Sequence, residues 1–359
     1  METPLSAANT PEASGFAADL AECRRSLANG SRTFLAASLL LPREVREPAC
    51  ALYAWCRQAD DEVDGQDGLG GDPAAAVANL RHRLAALYAG RGSTRLAERA
   101  LGAVAMHHGI PPTLPEALIE GFAWDAEGRR YETLEDLHAY AARVAGAVGA
   151  MMALLMGVRD PAALARACDL GVAMQLSNIA RDVGEDAAMG RVYLPLQWLR
   201  EAGIDPDAWL ADPQHSPALA SVVDRLLAEA DALYRRVGAG VAELPLACRP
   251  GINAARYLYA EIGHEVRRRG LNPLAGRAVV SRRRKLLGLS RALLALRPRK
   301  DWVPPPPLPA NAYLVAAVQN WPQGPASLPW WSVKARLVRT VELFTALERR
   351  ERASWTIAS

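Results

Sequence analysis

Cysteine is scarce in the chain: five in 359 residues, at positions 23, 50, 56, 168 and 248, with no Cys-x-x-Cys pair. An odd, scattered set of this kind argues against a disulfide framework and against a clustered zinc site. A reducing cytoplasm is the expected setting. Aromatic residues make up only 6% of a sequence that is 50% hydrophobic. The apolar stock is mostly Ala, Leu and Val, which favours helix over strand. Net charge is low, at +3, and the basic residues do not interleave with aromatics as a nucleic-acid stacking surface requires, so no nucleic-acid partner is expected. The longest uninterrupted apolar run, Ala145 to Val158, falls short of the roughly 20 residues that span a bilayer. The opening METPLSAANTPEASG places acidic and polar residues where a signal peptide needs a basic start and an apolar stretch, so export is not expected. Any membrane contact is therefore expected from one side. No strand leads into a Gly-x-Gly-x-x-Gly turn, the nearest glycine cluster being Gly68-Leu69-Gly70-Gly71, and a nicotinamide cofactor is not expected. There is no internal repeat and no signal that sets the number of subunits.

What remains is helical periodicity from end to end. Past a start expected to be disordered over residues 1–15, helical patterns cover about 16–41, 44–64, 73–89, 94–108, 113–127, 133–157, 161–186, 217–240 and 251–269, punctuated by Gly and Pro. The loop QDGLGGDP after Asp64-Gly65 is expected to be mobile. SRRRKLLGLSRALLALRPRK, from Ser281 to Lys300, is basic and amphipathic, and Pro304 to Pro307 then break any helix. The pattern predicts one all-α catalytic domain over 16–300. A Pro- and Trp-rich extension follows over 301–359, with a last helix near Val333 to Arg350.

Two acidic pairs stand out. On the first helix, Tyr53, Arg57, Asp60 and Asp64 share a face beside the apolar stripe Leu52, Ala59 and Val63. On the second, Gln175, Asn178, Asp182 and Asp186 share a face beside Val172, Leu176, Ile179 and Val183, with Arg181 adjacent. One Asp pair at i,i+4 is more often a solvated helix face than a site. Two such pairs, each beside a core-facing stripe and each with an arginine, are harder to set aside. Like charges at i,i+4 cost roughly a few tenths of a kcal/mol per pair, so a cation should compensate them. Hard carboxylate and amide oxygens suit Mg²⁺, with Mn²⁺ as a substitute, which takes one or two carboxylates and completes its shell with water and phosphate. Two acidic walls facing each other would hold a diphosphate through bridging ions. With Arg57 or Arg181 adding charge, that diphosphate becomes a leaving group and its departure makes an allylic cation.

These residues resemble the squalene and phytoene synthases over about residues 25 to 290. The resemblance rests on Ser31-Arg-Thr-Phe34, CRQADDEVDG (56–65), GFAWDAEGRRYETLEDLHAYAARVAGAVGAMM (121–152), QLSNIARDVGEDAAMGRVYLP (175–195) and Arg256-Tyr-Leu-Tyr259. It implies an isoprenoid synthase helical bundle around a central cavity. It makes Asp60, Asp64, Asp182 and Asp186 the metal-binding carboxylates, with Asn178 a further ligand, and puts Arg57, Arg181 and Gln175 on diphosphate. Ser31 and Phe34 would contact substrate, although Ser31 reads equally well as a helix cap. Val144 and Gly149 would line a prenyl tunnel, or serve close helix packing alone. Tyr53, Tyr140 and Tyr259 would steady the cation or aid proton transfer, with released diphosphate as base. The family's Tyr-Cys-Tyr-x-Val-Ala-Gly stretch stands here as Tyr140-Ala-Ala-Arg-Val144-Ala-Gly146, without the second aromatic.

The activity implied is head-to-head condensation of two prenyl diphosphates through a cyclopropyl diphosphate. Two C20 geranylgeranyl chains would give phytoene, the first committed step of carotenoid synthesis; two C15 farnesyl chains would give squalene or dehydrosqualene. Head-to-tail elongation predicts Asp-Asp-x-x-Asp on both helices, whereas the second helix carries Asp-x-x-x-Asp. A catalytically dead assembly factor would not need both acidic pairs and their arginines. His107, His108 and His264 have no ligand partners at suitable spacing and receive no role. The basic segment from Arg282 to Arg299 reads either as a peripheral membrane contact or as a solvated face.

Overall fold

The computed structural model describes residues 19–25, 27, 32–65, 72–295 and 306–322. Ser31, the glycine-rich loop at 66–71 and the expected tail helix at 333–350 lie outside the described residues. The described part is helical, and no β-strand occurs among these residues.

The helices, in chain order, are α1 (Arg32–Ser38), α2 (Arg43–Val63), α3 (Pro73–Tyr88), α4 (Leu96–His108), α5 (Thr113–Ala126), α6 (Leu134–Ala141), α7 (Ala147–Leu155), α8 (Pro161–Ala188), α9 (Leu196–Glu201), α10 (Pro206–Ala211), α11 (Pro217–Gly240), α12 (Arg249–Arg268), α13 (Arg282–Leu294) and α14 (Ala312–Asn320). Their ends follow local chemistry. Asp72, Asp160 and Asp205 each accept a backbone N–H from the first turn of the helix they start, with Pro at its first position. Thr133 and Asp136 form a capping box at the head of α6. Gly109, at φ +58°, ends α4 in the left-handed region.

Helix α8 is the axis of the body and packs against α7, α11 and α12. Val172, Leu176, Ile179 and Val183 are all buried on it, each contributing roughly 1.5–3 kcal/mol. That burial fixes which way its acidic face looks. Leu52, Ala59 and Val63 do the same for α2. A π-helical turn, Ala142–Gly146, joins α6 to α7. There the backbones of α7 and α8 touch: a Cβ added at Gly149 would overlap the carbonyl oxygen of Ala167, and one at Gly171 would overlap that of Ala145.

Residues 134–155 form a near-continuous helix long and apolar enough to cross a bilayer, and 67% of its apolar window is buried within the body. The uninterrupted run at 145–158 understated this length, because α6 and the π turn extend it through Arg143. Residues 306–321, beyond the expected domain boundary at 300, also belong to the compact body, which runs through Trp321. Leu314 and Val318 of α14 are buried in it.

Candidate active site

The acidic face of α2 and the acidic face of α8 lie close enough to be joined by a single side chain. Helix α8 ends in a turn at Gly190, φ +74°, and the next residue, Arg191, reaches Asp64 at the end of α2 with Nη2 2.9 Å from Oδ1. On α2, Arg57 divides its guanidinium between Asp61, at 2.7 Å, and Asp60, at 3.5 Å. On α8, Arg181 grips the neighbouring Asp182, its Nε donating to Oδ1 at 2.6 Å. Arg277 approaches the same carboxylate, Nε to Oδ1 at 3.2 Å. Its loop is brought there by close packing on α8, where a Cβ at Gly184 would come within 2.8 Å of the Pro273 carbonyl oxygen.

A fifth carboxylate sits between the walls. Asp125, near the end of α5, accepts hydroxyl hydrogen bonds from Tyr140 at 2.8 Å and Tyr193 at 2.7 Å. The rings of Tyr131, Tyr140 and Tyr193 pack together behind it, with Tyr140 and Tyr193 stacked at 5.2 Å. Burial pushes Asp125 up to about 6, against the pull of its two hydroxyl donors. Burial, then the Asp64 carboxylate, push Asp60 up to about 6. Burial, then Asp182, push Asp186 up to about 7. The Asp125 charge adds to the repulsion at both Asp60 and Asp186, so carboxylates of three helices crowd one region.

Beneath this region runs an apolar cavity of about 280 Å³. Its mouth is polar, with Gln175 and Asn178 on α8, Tyr53 on α2 and Tyr259 on α12; Val144, Gly149 and Met152 form part of its wall. The π turn aims Val144 and Ala145 into it, an irregularity of the kind often found at functional sites.

Most residues expected from the sequence thus gather at the two walls or along the cavity. Tyr140 is placed differently: its ring is buried behind Asp125 and does not line the cavity. Phe34 lies on α1, and Ser31 lies outside the described residues. Asp125, Tyr193, Arg191 and Arg277 were not singled out from sequence. The first three stand inside stretches that carried the family resemblance, but a lone Asp among apolar neighbours has no i+4 partner to mark it. Arg277 sits in a loop far along the chain from Asp182 and leaves no pattern.

The donor set suits a hard divalent ion. Among the described residues no three or more His, Cys, Asp or Glu side chains close into a metal cage. Paired oxygens on opposite walls instead leave coordination positions for water and phosphate, as Mg²⁺ prefers. Burial first, and mutual repulsion after it, raise these carboxylates, and a cation would offset both.

An all-α body with an apolar cavity under two acidic helices defines an isoprenoid synthase fold. Two solved structures share it: a dehydrosqualene synthase, with TM-score 0.69 and 28% identity, covering 79% of this chain and 98% of that one, and a squalene synthase from Alicyclobacillus acidocaldarius, with TM-score 0.66 and 27% identity, covering 72% and 96%. The profile of the Squalene/phytoene synthase family matches residues 27–284, and the chain belongs to that family. Relatives include a phytoene synthase of Rhodobacter capsulatus, 53% identical over 308 residues that cover 84% of this chain and 91% of the relative. Another from Cereibacter sphaeroides is 50% identical over 332 residues, covering 89% and 94%.

Proposed function

We infer that this enzyme joins two geranylgeranyl diphosphates head to head to make phytoene. The carrying observation is the acidic pair of walls, bridged by Arg191 and Asp64, directly above an apolar cavity; the similarity to phytoene synthases across most of the chain directs the choice of substrate.

Asp60 and Asp64 on one wall, and Asp182, Asp186 and Asn178 on the other, are the proposed ligands of Mg²⁺, with Mn²⁺ as a substitute. Divalent ions held by these oxygens would supply Lewis-acid stabilisation of the charge on the leaving diphosphate. Arg57, Arg181, Arg191 and Arg277 each rest on a wall carboxylate and add positive charge near the leaving group. Gln175 is placed to contact the same diphosphate. The cavity keeps water from the allylic cation, and Tyr53 and Tyr259 present their rings at its mouth. Tyr140 and Tyr193 hold Asp125 in place between the walls.

The first substrate ionises and releases diphosphate. Its C1 then bonds to the C2=C3 alkene of the second, and loss of a proton closes a cyclopropane that still carries one diphosphate. Ionisation of this intermediate releases the second diphosphate, and rearrangement with proton loss leaves the C1 to C1' linked hydrocarbon. No hydride enters, so no nicotinamide is needed. Released diphosphate takes the proton in the wall region.

We place the enzyme in the cytoplasm, where its free cysteines stay reduced, with peripheral contact to the inner face of the membrane. Helix α13 supports this contact: Leu286, Leu287, Leu293 and Leu294 are 66%, 50%, 52% and 84% exposed beside the basic run Arg282 to Lys285. The decisive experiment incubates pure protein and Mg²⁺ with C20 or C15 diphosphate, with and without NADPH, and identifies the hydrocarbon by mass. A C40 hydrocarbon with a central conjugated triene, from the C20 substrate without NADPH, is expected. An NADPH-dependent C30 product would identify a squalene synthase instead.

A further inference from the structure

The apolar cavity meets a charge near its deep end. Among the described residues Arg166 is the only charged one lining it, and it is 3% exposed. It lies on α8 twelve residues before Asn178, about 18 Å down the helix from the polar mouth at a rise of about 1.5 Å per residue. Ala163, one turn earlier on the helix, also lines the cavity, as does Met156. Helix α11 presses on the Arg166 stem, because a Cβ at Gly240 would overlap the Arg166 Cβ.

The head group is equally confined. Arg166 Nη2 lies 3.0 Å from Asp169 Oδ2. Asp169 is fully buried and accepts the side-chain amide of Asn311 at 2.9 Å. Arg236 Nε stands 4.0 Å from the same carboxylate. Asn311, also fully buried, belongs to residues 306–322, whose Leu314 packs close to Gly146 at the edge of the cavity wall.

A buried ion pair is poor value for stability, since apolar residues of similar volume generally do as well or better. It does make a hard boundary. A hydrocarbon tail pushing past Arg166 must pull it from Asp169, leaving that buried carboxylate with the Asn311 amide and the more distant Arg236.

We propose that the Arg166–Asp169–Asn311 cluster is the length stop of the prenyl cavity, so that residues 306–321 help set the size of substrate accepted. This rests on the prenyl diphosphate reading above. The stop rejects longer tails by electrostatics as well as by volume, and Asn311 holds it from outside the cavity.

The test is calorimetric binding of unreactive thiolodiphosphate analogues with C15, C20 and C25 tails to the full chain with Mg²⁺. In the unsubstituted protein affinity should fall at least about tenfold from C20 to C25. Arg166→Met should remove most of that fall, Arg166→Lys should retain it, and Asn311→Ala, which leaves every cavity-lining residue in place, should reduce it. If Arg166→Met does not fold by circular dichroism, Asn311→Ala decides. Folded variants with an unchanged C20 to C25 ratio overturn the stop, as does an unsubstituted protein that binds both lengths equally. Failure to bind any of the three would instead overturn the prenyl reading, and the stop with it.

Discussion

Arg191 and Asp64 are 127 residues apart in sequence, and their side chains meet at 2.9 Å between the two acidic walls. The contact ties the turn after α8 to the end of α2. The pair is partly solvated, so its worth to stability is small, below roughly 1 kcal/mol. Its importance is positional. Arg191→Ala should lower turnover by about 10²-fold, in line with the loss of one positioned charge, while barely moving the melting temperature. Arg191→Lys should recover part of the rate. Steady-state kinetics and a thermal melt check this, and an unchanged rate in Arg191→Ala would contradict it.

Removing a wall carboxylate should be worse for catalysis and harmless to the fold. Asp60→Ala and Asp182→Ala should each reduce product formation by at least about 10²–10³-fold. Both side chains sit on helix faces away from the packed stripes, so far-ultraviolet circular dichroism should not change. Ordinary activity in either variant would refute the metal assignment.

The crowded carboxylates carry a pH signature. Asp60 and Asp125 are held up to about 6 and Asp186 up to about 7, so the folded protein keeps protons that the unfolded chain has lost. Their stabilising effect is complete below the ordinary carboxylate range, near pH 4, and disappears as pH rises through about 6 to 7. In chelator, the melting temperature should therefore fall from pH 5 to pH 8. Mg²⁺ should raise it more at pH 8 than at pH 5, because the ion replaces the protons. Calorimetry with and without Mg²⁺ reads both effects, and a chelated protein that melts higher at pH 8 would contradict them.

Backbone contact between the π turn and α8 makes a separate prediction. Gly171→Ala places a methyl against the Ala145 carbonyl, where no side chain can rotate away, and should destabilise by about 1–3 kcal/mol. Because the same contact shapes the wall at Val144 and Ala145, activity should fall as well. Denaturant unfolding that matches the unsubstituted protein would contradict the geometry.

Much of this was legible in the sequence. Alternation of apolar stripe and acidic face on α2 and α8 follows from the 3.6-residue period alone, and the structure buries the stripes as that period requires. Gly and Pro signals located most helix ends to within a few residues. Short helices such as α9 and α10, six residues each, were missed because so few residues show no period. Helix α14 was missed for another reason: Pro304 to Pro307 suggested a boundary, while Asn311 and Leu314 are buried through tertiary contact with distant elements, α8 and the π turn among them. Asp125 follows the same logic. Its place between the walls depends on Tyr140 and Tyr193 arriving from other elements, which no local pattern encodes.

The most direct measurement is the affinity of an unreactive geranylgeranyl thiolodiphosphate, by calorimetry, in Mg²⁺ and in chelator, for the unsubstituted protein and for Asp64→Asn and Asp182→Asn. Tight binding in Mg²⁺ that collapses in chelator, and in either variant, is the expected result. Equal affinity with and without the ion, or binding untouched by both substitutions, would mean that the acidic helices do not grip diphosphate through a divalent cation.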